Sequence, residues 1–508
     1  MMKITENYFE KFTDKETFSK LVIDYTVPEF LDKIHNNYKE KIAIGASSKQ
    51  VTFNELDEDI KKVCTVLNNN NIKEKTNVGV LCGNNYDFVK TSLGIMAYGA
   101  CATLLPFQLD EQTIFGCCMK YQLTCLFYES SLKEKIQFAV NHAPNVKFIE
   151  IIDFNVEPSI FNYNVKETDP ACIVLTGGTT GKSKGAILSH KALMCGTLNG
   201  TYGVKDVFNQ VYYSIMPLTH VFGLIRNLLT SLFTGSTIYF CIDKRTMFKE
   251  IKEVKPTILI VVPALAELFL NLTKQFGPMM LGGNLKTIIC GGASVPPYLV
   301  EEFPKYGVTL LPGYGLTETA NLVSGNPLGI EKPNSVGLLY PNQEIKIVNG
   351  ELWLKGPNLL DAYYNEPEEN KTAFTDGWFK TGDLVRIDDD GFLYITGRIK
   401  DIIVLSNGEN VSPAYLEDKV NSLDFIQDSL VTLETNEFGA EILQVEVILR
   451  QSVIATLNIE NIQLFVEQNI MEVNKTLFDY EQISKVVIRN EDFPRSPSMK
   501  IIRPRKAL

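Results

Sequence analysis

The densest chemical signal in the chain is Leu175-Thr176-Gly177-Gly178-Thr179-Thr180-Gly181-Lys182-Ser183-Lys184-Gly185, which directly follows an apolar run. Glycines let backbone N–H groups close around phosphate oxygens, threonine hydroxyls add donors, and two lysines bring compact positive charge. The segment reads as a triphosphate cradle. A Walker loop, the natural rival, needs Gly, four residues, then Gly-Lys-Ser/Thr. Counting back from Gly181-Lys182-Ser183 puts Thr176 where that glycine belongs, so the register is wrong by one residue. An ordinary glycine-rich turn would not need so many donors.

Further motifs follow in order: Met216-Pro217-Leu218-Thr219-His220-Val221-Phe222-Gly223, Cys290-Gly291-Gly292-Ala293, Tyr314-Gly315-Leu316-Thr317-Glu318-Thr319, Thr381-Gly382-Asp383, Gly397-Arg398 and Pro494-Arg495-Ser496-Pro497-Ser498-Met499-Lys500. Together with the cradle they resemble the adenylate-forming superfamily of acyl-CoA synthetases, peptide-synthetase adenylation domains and firefly luciferase, over about residues 27 to 505. Three positions depart from the family pattern: Gly177 stands where Ser is usual, Ser183 where Pro is usual and Met499 where Gly is usual.

The resemblance implies a role for each match. Thr176, Gly177, Gly178, Thr179, Thr180, Gly181 and Lys184 would hold the ATP phosphates. Gly292 and Ala293 would lie under the adenine and Tyr314 would stack on it. Asp383 and Arg398 would grip the ribose, Thr317 would touch phosphate, and Glu318 would hold Mg²⁺. The acyl pocket would be lined by His220, Val221, Phe222, Gly291, Gly315 and Leu316. Lys400 would be the hinge, Gly408 would line the thiol tunnel, and Lys500 would be the catalytic lysine.

These residue types suit the implied reaction, carboxylate plus ATP giving acyl-adenylate and pyrophosphate, followed by displacement of AMP by a thiol. A carboxylate approaching the α-phosphorus brings two anions together, so positive charge must be placed in advance; Lys500 is the candidate. A carboxylate such as Glu318 is a hard ligand for a hard cation. Asp383 offers acceptors to two neighbouring hydroxyls.

The stretch His220-Val221-Phe222-Gly223-Leu224-Ile225-Arg226 contains no Asp to pair with a substrate ammonium, so amino acids are not expected. Acetate-specific members have Trp at the position of Gly315, which points to a medium or long fatty acid, with an aryl acid second. The acceptor is expected to be CoA, or alternatively the phosphopantetheine of a separate acyl carrier protein. A nucleotide switch or ATPase of the P-loop type is the distant alternative, and it would release ADP rather than AMP.

The elements that must position these residues can be read from hydropathy. Apolar runs at residues 146–152, 173–175, 258–262, 288–289 and 308–311 predict buried strands of a largely parallel sheet. Val78-Gly79-Val80-Leu81, then Asn84 and Asn85 as caps, then Tyr86, Val89, Leu93 and Met96 on one face, predict a strand feeding a helix. Beyond about residue 335, Ile345 and Ile347 alternate toward Asn349-Gly350, and Leu352 and Leu354 alternate away, predicting an antiparallel hairpin. The fold class is α/β: a large N-terminal AMP-binding domain, 1–398, of parallel-sheet subdomains plus an antiparallel β region, followed by a small mobile α+β lid, 399–508, carrying Lys500.

Composition sets the outer limits. A chain of 508 residues with 45% apolar content can bury a large core and suggests roughly three domain-sized units. A formal net charge of −11 argues against a general nucleic-acid binder. The charged N-terminal residues are not a signal-peptide pattern, no apolar run is long enough to span a membrane, and ten cysteines without C-x-x-C spacing suit reduced thiols in the cytoplasm.

Overall fold

Most of the predicted strand runs are apolar at nearly every position because both of their faces are covered, as helix-flanked parallel strands require; the run at 146–152 departs from the expected burial, since Lys147–Ile151 is the edge strand of its sheet, with Lys147 exposed and only Ile151 buried. In the computed structural model, which describes residues 2–3, 15–45, 50–176, 184–457, 459–495 and 501–503, every residue of strands Cys101–Leu105 and Ile258–Val261 is buried. One seven-stranded sheet has the parallel series Lys147–Ile151, Cys125–Glu129, Asn77–Leu81, Cys101–Leu105 and Pro170–Thr176. Lys184–Ser189 then returns antiparallel to Pro170–Thr176, so that Thr176 and Lys184 face each other across the two strands.

A nine-stranded sheet repeats the architecture. Its parallel core runs Ile42–Gly45, Thr237–Phe240, Val211–Ser214, Ile258–Val261, Thr287–Cys290 and Thr309–Tyr314. The motifs at Gly291 and Tyr314 therefore sit at the C-terminal ends of adjacent strands, the edge where ligands bind in open α/β sheets.

The third sheet is antiparallel and contains the anticipated hairpin: Glu344–Val348 pairs with Glu351–Lys355 around Asn349 (φ 51°) and Gly350 (φ 81°), two positive angles that define a type I′ turn. The same sheet carries Trp378–Ile387 against Leu393–Arg398, and that register sets Asp383 opposite Arg398. Beyond the turn Ile399–Asp401 a separate three-stranded sheet, Ile426–Thr435, Glu441–Leu449 and Ile483–Arg489, packs with helices Pro413–Asn421 and Ile462–Asn474 around its own core. An α/β N-terminal region with mixed sheets followed by a smaller C-terminal unit is the architecture expected from the sequence.

Helix Tyr86–Tyr98 is capped by Asn85, whose side chain accepts from the Phe88 amide. Asn84, also anticipated as a cap, does something else. Its side chain donates to the Met216 carbonyl and accepts from the Leu218 amide, both at 2.9 Å, tying this turn to the segment before His220. All ten cysteines are buried and unbridged, and burial pushes thiols such as Cys64 and Cys125 up to about 12. Among the described residues no helix is long and apolar enough to cross a membrane.

Candidate active site

A cleft of about 2840 Å³ runs between the sheets and the C-terminal unit. It is lined by Thr176, Lys184, His220, Val221, Phe222, Gly291, Gly292, Ala293, Tyr314, Gly315, Leu316, Thr317, Glu318, Asp383, Arg398 and Lys400. Residues far apart in sequence thus line one cleft. Gly177, Gly178, Thr179, Thr180, Gly181 and Lys500 lie outside the described residues.

At one end, the carboxylate of Asp383, 1% exposed, meets Arg398 Nε at 2.6 Å and accepts the Tyr314 hydroxyl at 2.5 Å. The pair is set by cross-strand register, and the Asp383 amide is anchored on Thr381 Oγ1 at 3.0 Å. Burial, with the Asp383 charge added, drives the Tyr314 phenol far above its ordinary range, so it is a neutral donor.

Glu318 lies in the short turn Thr317–Thr319, with Thr317 buried beside it. Its carboxylate accepts the Tyr363 hydroxyl at 2.8 Å, and the Tyr363 ring sits 5.3 Å from the Lys184 ammonium, which pairs with Glu369 at 2.6 Å. Tyr363 therefore joins strand Lys184–Ser189 to Glu318. Nothing in the sequence singles Tyr363 out, since it stands 45 positions after Glu318 and in no motif of its own. Lys400 lies within reach of the Arg398, Asp401, Asp383 and Glu318 charges, and partial burial together with the Arg398 charge lowers its pKa.

His220 stands two residues before the π-helix Phe222–Leu229, a rare form that is frequent at functional sites. The Phe222 amide donates to Nδ1 at 3.2 Å, and an amide can only donate, so Nε2 carries the ring proton. The tight turn depends on Gly223: a Cβ there would lie 2.0 Å from the Pro217 carbonyl oxygen. Gly315 is more constrained still, since a Cβ would fall 1.4 Å from the Asn321 carbonyl oxygen. Its glycine answers a backbone demand, and the length of the acyl chain cannot be read from it.

From the C-terminal unit, Arg495, Ile501, Ile502 and Arg503 line the cleft, and Arg495 bridges Ile501 across the segment that contains Lys500. The hairpin Ile403–Val404 with Asn410–Val411 presents Gly408 at φ 86° in the open, and Gly408 is not part of the cleft lining. The two units touch through Arg450, which pairs with Glu267 at 3.0 Å and donates to the Tyr298 hydroxyl at 3.2 Å.

The donor set also bears on metal binding. Among the described residues no group of three or more His, Cys, Asp or Glu could hold an ion alone. A single carboxylate beside a threonine hydroxyl does suit Mg²⁺, which keeps waters and substrate phosphates as its other ligands.

Comparison with known proteins accords with this geometry. The family model "AMP-binding enzyme" matches residues 31–364, and "AMP-binding enzyme C-terminal domain" matches 400–507. The 4-coumarate–CoA ligase-like 6 of Arabidopsis thaliana is 32% identical over 73% of this chain and 68% of its own length. The 2-succinylbenzoate–CoA ligase of Bacillus mycoides is 25% identical over 94% of this chain and 98% of its own. The solved structure of the anthranilate CoA ligase AuaEII with anthranoyl-AMP shares the fold, with a TM-score of 0.82 at 19% identity over 95% of this chain and 97% of that one.

Proposed function

Because the chain belongs to the AMP-binding enzyme family and is an enzyme of the AMP-forming acid–thiol ligase class, we propose that it converts an aryl carboxylic acid to its CoA thioester through an acyl-adenylate. The observation that carries the reading is the convergence on one cleft of Thr176 and Lys184, the Tyr314–Asp383–Arg398 cluster, Glu318 and His220.

In the first half-reaction a carboxylate oxygen of the acid attacks the α-phosphorus of ATP. A C–O–P linkage forms, the bond from the α-phosphorus to the α–β bridging oxygen breaks, and pyrophosphate leaves with that oxygen and the electron pair. Asp383 accepts hydrogen bonds from the ribose hydroxyls while Arg398 holds its charge in place. Residues 176–184 take the phosphates, and Lys500 neutralises the charge gathering at the reacting oxygens. Glu318 and Thr317 would hold Mg²⁺, which supplies charge neutralisation for the departing pyrophosphate when bound. The protonated Nε2 of His220 orients the acid. In the second half-reaction the CoA sulfur attacks the acyl carbon, AMP departs, and the thiol proton passes to solvent.

We place the domain boundary at 398/399 and the hinge at Lys400. Arg495 and Ile501, which stand on either side of Lys500 in the sequence, line the cleft whereas Gly408 does not, an arrangement that suits adenylation. Rotation about the hinge would then exchange the two loops for thioester formation. An aryl acid is favoured over a fatty acid on two grounds: a backbone carbonyl accounts for Gly315, and the relatives named above include a 4-coumarate–CoA ligase-like protein and a 2-succinylbenzoate–CoA ligase.

The test is exchange of labelled pyrophosphate into ATP over a panel of carboxylic acids, followed by thiol-dependent AMP release with CoA and with a carrier protein. Exchange driven by an aryl acid, with AMP released on CoA, is expected. ADP as the product would refute the reaction, and inertness to CoA would transfer the role to a carrier-protein ligase. Lys500→Ala should slow adenylation far more than thioester formation from supplied acyl-adenylate.

A further inference from the structure

Arg226 lies on the same π-helix as Phe222, four residues on, and its side chain lines the cleft that holds His220, Phe222 and Gly291. It is 2% exposed, and its Nε and Nη1 have no hydrogen-bond partner. No ion pair with a carboxylate is present among the described residues. Its neighbours are phenols. The Arg226 charge acts on Tyr212 and Tyr340, opposing the rise that burial imposes on both, and Tyr340 stacks on Tyr202 with ring centroids 6.2 Å apart. Tyr202 and Tyr340 line the same cleft, as does Asn321, 8% exposed, whose Nδ2 is a second unpartnered donor.

A guanidinium cannot shed its proton in a protein, so burying one without a counter-charge is strongly unfavourable. A buried charge with empty donors beside a substrate cavity is resolved if the substrate supplies the acceptor. We propose that the acid carries a second carboxylate at the end remote from the one that is adenylated, and that Arg226, with Asn321 as auxiliary donor, binds it. The substrate class is then a dicarboxylic acid with an apolar or aromatic body between its two acid groups. The inference rests on the acid–CoA ligase reading and deepens it. It also accounts for the absence of an acidic residue in the 220–226 stretch: the charge built into this wall selects an anion and repels an ammonium.

Pyrophosphate exchange is measured for matched pairs of acids, aryl and alkyl, that differ only by a distal carboxylate. The wild type should favour the diacid by about tenfold or more in kcat/KM, the worth of a charged hydrogen bond in a buried site. Arg226→Gln should collapse that ratio toward unity, Arg226→Lys should retain most of it, and Arg226→Glu should move preference toward acids bearing a distal amine. Preference of the wild type for monoacids overturns the inference while leaving the ligase reading intact, and this needs no variant to fold. A diacid preference that survives Arg226→Gln overturns the role of Arg226. Exchange with no acid at all refutes the ligase reading, and the inference falls with it.

Discussion

Asp383→Asn separates the charge of the candidate ribose site from its shape. The amide keeps the volume and can still accept the Tyr314 hydroxyl, but it leaves Arg398 without its counter-ion at 2.6 Å. Removing one partner of a buried pair costs about 3–5 kcal/mol; because the Arg398 side chain is 34% exposed, water reaches it and the loss should be nearer 2 kcal/mol. Losing a charged acceptor for the ribose hydroxyls should raise the KM for ATP by about 10- to 100-fold. Urea denaturation of Asp383→Asn, Arg398→Gln and the double variant forms a double-mutant cycle, and ATP dependence of pyrophosphate exchange supplies the functional arm. The double variant should lose less than the two singles together, by at least about 1 kcal/mol. Additive losses with an unchanged KM would show that the pair is neither coupled nor in contact with nucleotide.

Tyr363→Phe should leave the fold intact, lower pyrophosphate exchange by about tenfold and raise the Mg²⁺ concentration for half-maximal rate, because Glu318 loses the hydroxyl that positions it; unchanged Mg²⁺ dependence would refute this. Gly315→Ala, whose Cβ would overlap the Asn321 carbonyl oxygen, should cost at least about 3 kcal/mol in urea denaturation. The contrasting Gly116→Ala, in the exposed face of helix Glu111–Lys120 with nothing within 4 Å, should add about 0.5–1 kcal/mol. His190 is held neutral by burial, its pKa pushed down to about 4 from 6.5, so the unfolded chain binds a proton that the native state refuses. Stability from this residue is therefore complete above about pH 6.5 and lost as pH falls toward 4, by about 3 kcal/mol. In His190→Asn, urea midpoints at pH 4.5 and 6.5 should differ less than in the wild type, and an equal difference would refute the assignment.

Local pattern determined a large share of the architecture. The parallel strands were legible because burial on both faces demands an unbroken apolar run, and the hairpin because Asn349-Gly350 supplies the two positive φ angles such a turn needs. The ordered motifs were legible because the chemistry of phosphate, ribose and carboxylate restricts residue type and spacing within a few positions. Tertiary structure decided what depends on distant partners. Asn84 is spelled like a second helix cap yet braces the His220 segment, Tyr363 is an unremarked aromatic until its hydroxyl reaches Glu318, and Gly315 is small because a carbonyl presses on it rather than because a substrate is long. Arg226 shows the difference most sharply: sequence records a positive charge on an apolar helix, and only packing reveals that no acceptor meets its Nε and Nη1, since desolvation is a property of the surroundings and not of the residue.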